Sequence, residues 1–309
     1  MPGTIAAVCV SREKGTRKKA VEEVKLLANW GIEGDAHAGN WHRQISLLSV
    51  ESIEKMRAIS RERGLELSFG DFAENLTVDG MHVSELPVGT YLQAGEVLLE
   101  ITQIGKECHG HCEIFRQTGN CVMPKEGIFA RVLSGGKLAA GDRIGIWQGI
   151  PVAVITASDK GASGQRQDVS GQEIAKMLAS IGGRVIDYRV LPDDIEVLAG
   201  AMTELIDEVG AALVLTTGGT GFSPRDVTPE ATLKVIERQV PGLPEAMRRE
   251  SCAQTSRAML SRAVAGIRGK GLIVNLPGSP KGVRECLAVI LPVLAHAVEI
   301  LRGTGGECG

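Results

Sequence analysis

A glycine-rich loop at residues 218–221 places backbone amides beside side chains that can hold phosphate and metal. The glycines of this GGTG element let backbone N–H groups come close to an anion. Just beyond it, Arg225 supplies a cation for phosphate, and Asp226 supplies a hard oxygen ligand for a divalent metal. The loop matches neither the GxGxxG dinucleotide pattern nor the GxxxxGK[ST] pattern. It predicts a site for a phosphorylated ligand and a metal ion.

Two other segments bring polar groups to the same region. Asp193 follows a predicted strand over 185–190, and the segment 275–282 leaves another strand and enters a helix. Because open α/β sheets bind ligands at the carboxyl ends of their strands, Asp193 and Asp226 are expected on one sheet edge, where they position metal and phosphate. Lys281 and the backbone amides of 275–282 form a second anion site.

Both carboxylates also have a structural interpretation. Asp193 could cap the helix that follows it, a part that Asp194 could play equally well. Asp226 could pair with Arg225 or cap the next helix, for which Thr228 is the predicted N-cap. The residue pattern alone leaves these alternatives open.

The elements that position these residues alternate between strand and helix after Pro151. Buried apolar runs predict strands over 152–156, 185–190, 211–216 and 271–275. Helices are predicted over 170–181, 195–209, 229–239 and 280–301, with further helical segments within 243–263. This alternation predicts a three-layer α/β domain whose mostly parallel sheet is covered by helices on both faces.

The second half, assigned as a domain over 151–303, resembles the molybdopterin adenylyltransferase family. The matching motifs are GGTG (218–221), RD (225–226), TPEA (228–231), TASDKGASG (156–164), LPDD (191–194), LSR (260–262) and NLPGSPKG (275–282). The resemblance implies transfer of AMP from ATP to the terminal phosphate of molybdopterin, with pyrophosphate leaving. It implies Mg²⁺, ATP and molybdopterin as ligands, and a homotrimer.

The resemblance also implies roles for individual residues. Asp193 and Asp226 are assigned to catalysis and to the metal. Nucleotide or pterin contacts are assigned to Ser158, Asp159, Gly218, Gly219, Thr220, Gly221, Arg225, Ser261, Arg262, Asn275, Pro277, Gly278, Ser279 and Lys281. The attacking phosphate is already anionic at neutral pH, so the reaction needs charge neutralisation more than a strong general base.

The first half shows the pattern of a β-rich domain. Short alternating runs such as 44–50, 76–78 and 97–104 are separated by glycines. Helical pieces are predicted near 20–27 and 50–59. We therefore expect a β-rich, barrel-like domain over 1–147, in front of the α/β domain.

Cysteines and histidines cluster in this first half, at Cys108, His109, His111, Cys112 and Cys121. Together with motifs such as GIEGDAHAG (31–39), FAENLTVDG (72–80) and GKECHGHC (105–112), the half resembles the molybdenum-cofactor sulfurase carboxy-terminal (MOSC) domain. Members of that family are thought to handle sulfur or the molybdenum cofactor through a cysteine.

The role requires a thiolate, and Cys108 is the predicted reactive residue, with Lys106 and the two histidines able to lower its pKa. Two alternatives stay open: the cluster could bind a structural zinc, or its thiols could be unengaged. The chain contains no pyridoxal-phosphate domain to generate sulfur. The domain is therefore expected to accept, carry or bind sulfur or cofactor rather than to generate sulfur.

Composition limits the remaining possibilities. The chain has 309 residues, enough for two domains, and a net charge of −3 that disfavours nucleic acid or a membrane surface as partner. Seven cysteines without a disulfide framework, and the lack of a secretion signal or an apolar spanning run, predict a cytoplasmic protein.

Three functions remain from the sequence: an adenylyltransferase fused to a cofactor-handling domain, a non-catalytic carrier of molybdopterin or its cofactor, and a persulfide acceptor or reductase component. Small molecules are the expected ligands, and molybdenum-insertion and sulfur-donor proteins are candidate partners.

Overall fold

The computed structural model describes residues 2–61, 64–107, 115, 121–165 and 167–303 of the chain. These residues fall into two compact units that divide between Gln148 and Gly149, called unit 1 and unit 2 below. No helix in the described ranges is both long and apolar enough to cross a membrane.

Unit 1 is built mainly of strands. They are β1 (Gly3–Val10), β2 (Lys19–Val21), β3 (Glu23–Leu27), β4 (Gly31–Ile32), β5 (Ile45–Ser49), β6 (Leu76–Asp79), β7 (Tyr91–Ala94), β8 (Val97–Ile104), β9 (Ile128–Ser134), β10 (Gly136–Ala139) and β11 (Arg143–Trp147). Its helices in the described residues are α1 (Val50–Arg61), α2 (Met123–Glu126) and a 3₁₀ turn at Val83–Glu85.

Seven strands of unit 1 close into a barrel in the order β11-β7-β8-β9-β5-β6-β1, and β1 pairs back onto β11. All neighbours are antiparallel except β5 and β6. Closure satisfies the strand edges and encloses a core of side chains that include Ile5, Leu47 and Leu99, each fully buried. The predicted β-rich, barrel-like fold is confirmed.

The helix predicted over 20–27 is wrong. The segment forms β2 and β3, and the side chains of Glu23–Leu27 alternate between solvent and core. Val24 and Leu26 point inward, and the period of two overrides the helical propensity of Glu23 and Lys25. The helix predicted near 50–59 is confirmed as α1.

Unit 2 alternates strands and helices. Its strands are β12 (Ile150–Ala157), β13 (Gly183–Leu191), β14 (Leu213–Thr217), β15 (Arg238–Gln239), β16 (Ala265–Arg268) and β17 (Gly271–Leu276). Its helices are α3 (Asp159–Ala162), α4 (Ser170–Leu178), α5 (Ile195–Glu204), α6 (Thr228–Val235), α7 (Gly242–Cys252) and α8 (Pro280–Arg302). Short turns of 3₁₀ or π helix occupy Ala179–Ile181, Leu205–Val209 and Ser256–Leu260.

The sheet of unit 2 has the order β13-β12-β14-β17-β16-β15. The first four strands are parallel, and β16 pairs antiparallel with both of its neighbours, β17 and β15. Val152 and Val154 pack on the face covered by α4 and α8, whereas Ala153 and Ile155 pack on the face covered by α5 and α6. The predicted three-layer α/β fold with a mostly parallel sheet is confirmed.

Two predicted helical segments of unit 2 end early. The helix predicted over 229–239 stops at Val235, since Ile236 is extended and Arg238–Gln239 pairs with β16 as an edge strand. The segment 243–263 is helical only in α7 and in the 3₁₀ turn at Ser256–Leu260.

Candidate active site

A polar cavity of about 500 Å³ lies at the carboxyl ends of β12, β14 and β17. We call it the carboxylate cavity. Of the residues predicted from the sequence, it is lined by Ser158, Asp193, Gly218, Gly219, Asp226, Gly278 and Ser279. The two predicted catalytic carboxylates therefore share one cavity at one edge of the sheet.

A second cavity of about 350 Å³ adjoins the first, and Ser279 lines both. We call it the basic cavity, because Arg248, Arg257 and Lys281 lie on its wall beside one acidic residue, Glu285. Its lining also includes apolar side chains such as Met247. The predicted residues on this wall are Thr220, Gly221, Ser261, Pro277, Ser279 and Lys281. The glycine loop separates the cavities, so its first half faces the carboxylates and its second half faces the cations.

Four predicted contact residues line neither cavity: Asp159, Arg225, Arg262 and Asn275. Asn275 is fully buried, where its side-chain amide donates to the hydroxyls of Thr216 and Thr232 and accepts the backbone N–H of Val264. Its hydrogen-bonding capacity is used inside the protein. Asn275 therefore fixes β17 against β14 and α6.

Asp159 and Asp193 hold each other through a reciprocal pair of hydrogen bonds. The backbone N–H of Asp159 donates to Oδ2 of Asp193, and the N–H of Asp193 donates to Oδ1 of Asp159, both at 3.1 Å. Arg225 pairs with the remaining oxygen of Asp159. The pair locks the end of β12 to the loop after β13, and it orients the Asp193 carboxylate.

The electrostatics of Asp193 favour a cation nearby. Burial raises its pKa above the usual range, and the negative charges of Asp159 and Asp226 raise it further. The hydrogen bond from the Asp159 N–H and the cation of Arg225 lower the pKa of Asp193 but offset these effects only in part. A divalent ion between the carboxylates would remove the conflict.

Asp226 is presented by the loop that follows Gly221. Its Oδ2 accepts the backbone N–H of Ser223 at 2.8 Å, and the cation of Arg225 is directed to Asp159. Arg225 therefore pairs with Asp159 and not with Asp226, the alternative that the sequence left open. One edge of the Asp226 carboxylate is fixed by the loop while the residue lines the cavity.

The glycine loop requires glycine at two positions. Gly218 and Gly219 have φ of +93° and +63°, in the left-handed region. A Cβ on Gly218 would lie 2.3 Å from the carbonyl oxygen of Ala157, and one on Gly219 would lie 2.4 Å from Oγ1 of Thr228. The backbone of the loop thus packs directly against the end of β12 and the start of α6.

Thr228 is not the N-cap that the sequence predicts. Helix α6 begins at Thr228, and Val227 holds the N-cap position without a side-chain hydrogen bond. The Thr228 hydroxyl donates to the carbonyl oxygen of Gly218 at 2.9 Å instead. This buried threonine ties the helix to the glycine loop rather than to its own first turn.

Asp168 is a site residue that the sequence motifs do not indicate. It lines the carboxylate cavity, where its Oδ2 accepts the hydroxyls of Thr156 and Tyr188 and its Oδ1 accepts the N–H of Gly171 at 3.1 Å. Burial alone would raise the pKa of Asp168, but these hydrogen bonds outweigh it and hold the pKa below its usual range. The available signal was an acidic residue two positions before the helix start at Ser170.

The two aspartates of the LPDD motif have different positions: Asp193 lines the carboxylate cavity, and Asp194 caps a helix. Asp194 is the N-cap of α5, and its side chain accepts the N–H of Val197 at 3.0 Å.

We expect Asp194→Ala to lower the free energy of unfolding of unit 2 by about 1 kcal/mol, because one helix N–H loses its partner. Asp194→Asn, which also caps well, is the control. An unchanged unfolding midpoint for Asp194→Ala would contradict the assignment.

Unit 1 contains a separate cavity of about 420 Å³, which we call the thiol cavity. Cys121, His37, Lys106 and Arg43 lie on its wall. The Arg43 guanidinium stacks 4.8 Å from the centre of the Trp41 ring. Of the predicted cluster, Cys108, His109, His111 and Cys112 lie outside the described residues, so only Cys121 and Lys106 are placed. Both line this cavity.

A buried ion pair stands behind the thiol cavity. Lys18 Nζ lies 2.5 Å from Oδ2 of Asp35, with the two side chains 1% and 0% exposed. Asp35 also accepts the N–H groups of Ser11 and His37 and the side-chain amide of Asn75. Burial would raise the pKa of Asp35, but the bonds from His37 and Lys18 hold it below its usual range.

Glu74 is a second fully buried acid of unit 1. Its carboxyl group accepts the N–H groups of Gly70 and Phe72 and the hydroxyl of Thr77. Burial raises the pKa of Glu74 more than these hydrogen bonds lower it, and the pKa rises from 4.5 to about 7. The folded state therefore binds a proton that the unfolded state releases between these pH values.

This shift predicts a pH-dependent stability. As pH rises from about 4.5 to about 7, wild-type unit 1 should lose up to about 3 kcal/mol relative to a Glu74→Gln variant, which has no proton to release. Because Trp30, Trp41 and Trp147 are the only tryptophans, fluorescence-monitored urea unfolding reports on unit 1. A difference between the two proteins that stays constant across this range would contradict the prediction.

Comparison with known proteins defines the class of each unit. Residues 153–296 match the family model described as a probable molybdopterin binding domain, and residues 34–145 match the MOSC domain. The resemblances noted in both halves of the sequence are confirmed.

The relatives narrow the class further. A molybdopterin adenylyltransferase of Helicobacter pylori is 40% identical over 158 residues, which cover 50% of this chain and 90% of that protein. One of Haemophilus influenzae is 42% identical over 140 residues, covering 45% of this chain and 71% of that protein. The crystal structure of a molybdopterin biosynthesis enzyme from Thermus thermophilus is 46% identical and covers 51% of this chain and 99% of that one, with a TM-score of 0.49. The chain belongs to the molybdopterin adenylyltransferase family and carries a MOSC domain in its first half.

Proposed function

We propose that unit 2 transfers AMP from Mg-ATP to the terminal phosphate of molybdopterin. A phosphate oxygen of the pterin attacks the α-phosphorus of ATP, the bond between the α-phosphorus and its bridging oxygen to the β-phosphorus breaks, and pyrophosphate leaves. The observation that carries the proposal is the meeting of two cavities of opposite character at Ser279. Such a pair suits two anionic substrates that must be brought together.

The residues present fit Mg²⁺. Asp193 and Asp226 offer carboxylate oxygens in one cavity, and a cation there would offset the burial and the nearby negative charges that raise the pKa of Asp193. The described residues contain no group of three or more acidic, histidine or cysteine side chains that could hold a metal by themselves. Mg²⁺ commonly binds one or two carboxylates and completes its shell with substrate phosphates and water. When bound, the ion neutralises charge on the triphosphate.

The chain's own residues account for the rest of the chemistry. Gly218 and Gly219 line the carboxylate cavity, so their backbone can approach the phosphates closely. Lys281 and Arg257 attract the anionic phosphate of the pterin from the basic cavity, whose apolar wall suits a planar ring system. We therefore assign the triphosphate to the carboxylate cavity and the pterin to the basic cavity.

For unit 1 we propose a role in binding or carrying sulfur or cofactor through a cysteine. Cys121, Lys106 and Arg43 around one cavity support this, since cationic neighbours favour a thiolate. Cys108 remains the residue expected to react. In this proposal residues 1–147 handle sulfur or cofactor and residues 151–303 perform the transfer. The protein acts in the cytoplasm as a homotrimer and exchanges cofactor with molybdenum-insertion and sulfur-donor proteins.

A non-catalytic carrier of molybdopterin is the second candidate. It would need the basic cavity but not a neighbouring cavity lined by two carboxylates. The carboxylate cavity therefore favours the enzyme.

The direct test is to incubate the purified full chain with molybdopterin and Mg-ATP. We expect pyrophosphate and adenylylated pterin in equal amounts, and neither product when Mg²⁺ is chelated. Tight binding of molybdopterin without either product would favour the carrier. Mass mapping of persulfide on Cys108, Cys112 and Cys121 after exposure to a sulfur donor tests unit 1 separately.

A further inference from the structure

Arg262 lines neither cavity, but it forms hydrogen bonds to residues that line each of them. Its Nε donates to the carbonyl oxygen of Gly221 at 2.7 Å, and its Nη2 donates to the carbonyl oxygen of Asp226. Its backbone N–H donates to the carbonyl oxygen of Thr220 at 3.0 Å. One residue therefore holds both ends of the loop that carries Asp226.

The chain just before Arg262 forms the wall of the basic cavity. Thr255, Leu260 and Ser261 line that cavity, and the next residue is Arg262. On either side of it, the carbonyl oxygens of Ser261 and Ala263 accept hydrogen bonds from Arg248. A ligand that orders this wall therefore also orders the backbone from which the Arg262 side chain projects.

We propose that Arg262 is a positioning residue that couples the two cavities, so that a pterin in the basic cavity fixes Asp226 in the carboxylate cavity. The inference rests on the proposed function for its choice of ligands. Its physical basis is that the guanidinium makes planar, multiple hydrogen bonds to two carbonyl groups, which a lysine cannot reproduce. Arg262 touches neither substrate in this account and acts only through the loop.

Arg262→Lys is the test variant, and Glu230→Gln is its matched control. Glu230 is the third partner of the guanidinium, but it lies on α6, outside the loop. Its replacement removes a partly exposed ion pair and leaves both loop hydrogen bonds in place. If Arg262 merely stabilised the fold, the two variants would behave alike.

The first readout does not depend on activity. In hydrogen-exchange experiments on the full chain, molybdopterin should slow exchange of the amides of residues 221–226 in the wild type and in Glu230→Gln. In Arg262→Lys the same addition should leave their exchange within about twofold of the ligand-free rate. Slowing of equal size in all three folded proteins would overturn the coupling.

The second readout is the dependence of Mg-ATP affinity on the pterin. Allosteric coupling of ordinary size is about 5- to 150-fold, and we expect the lower part of that range for the wild type and for Glu230→Gln. Arg262→Lys should show less than twofold coupling and about tenfold lower kcat. Unchanged coupling and kcat in this variant would contradict the inference while leaving the transferase intact. If molybdopterin slows hydrogen exchange of residues 221–226 in the wild type but no pyrophosphate is released, the proposed function is contradicted and the coupling is not.

Discussion

Asp226→Asn should lower turnover by roughly 100- to 1,000-fold, the range seen when one group that stabilises transition-state charge is removed. Asparagine keeps the shape of the side chain and can still accept the N–H of Ser223, so the loop should stay folded. It removes the negative charge that would hold a metal beside the triphosphate. Molybdopterin binding, which we assign to the other cavity, should change by no more than about twofold.

Steady-state kinetics and pterin titration of the same preparation check this prediction. Asp194→Asn is the charge-matched control, because Asp194 is an exposed helix cap beside Asp193 and outside both cavities. Its turnover should equal that of the wild type. Retention of wild-type turnover by Asp226→Asn would refute the metal assignment.

Lys18→Met should destabilise unit 1 by about 3–5 kcal/mol, the cost of removing one partner from a buried ion pair. The variant leaves Asp35 fully buried with its charge uncompensated. Asp35 would still accept the N–H groups of Ser11 and His37, so the residue cannot simply rotate into water.

The double variant Lys18→Met/Asp35→Asn separates lost charge balance from lost packing. It should be more stable than Lys18→Met alone, because no unpaired charge remains. Urea unfolding followed by tryptophan fluorescence measures both proteins, since every tryptophan belongs to unit 1. An unfolding midpoint of Lys18→Met equal to that of the wild type would contradict a structural role for the pair.

The sequence predicted the part of the site that depends on local pattern. A buried apolar run, a glycine loop and a helix start occur in order around Gly218, and the sheet topology then brings Asp193 and Asp226 to the same cavity. Parallel strands make this prediction possible, because their carboxyl ends must meet at one edge. The sequence leaves open whether Asp193 or Asp194 caps the following helix. The hydrogen bond from the Val197 N–H identifies Asp194 as the cap.

The partners of polar side chains were harder to predict. Arg225 stands next to Asp226 in sequence but pairs with Asp159, 66 residues away, and Thr228 reaches back to Gly218 rather than capping its helix. Asn275 is predicted as a ligand contact because it lies in a polar motif, but its side chain forms hydrogen bonds inside the protein. Such choices depend on distances between loops of different strands, which local periodicity does not contain.

We propose above all that Asp193 and Asp226 hold a metal-bound triphosphate beside the glycine loop. A crystal structure of the full chain with Mn²⁺ and a non-hydrolysable ATP analogue tests it most directly, since the anomalous signal locates the metal. We expect a metal within coordination distance of the Asp226 or Asp193 carboxylate and of the phosphates, with the phosphates against Gly218 and Gly219. A triphosphate bound along Arg248 and Lys281 in the basic cavity, with no metal at either aspartate, would contradict it.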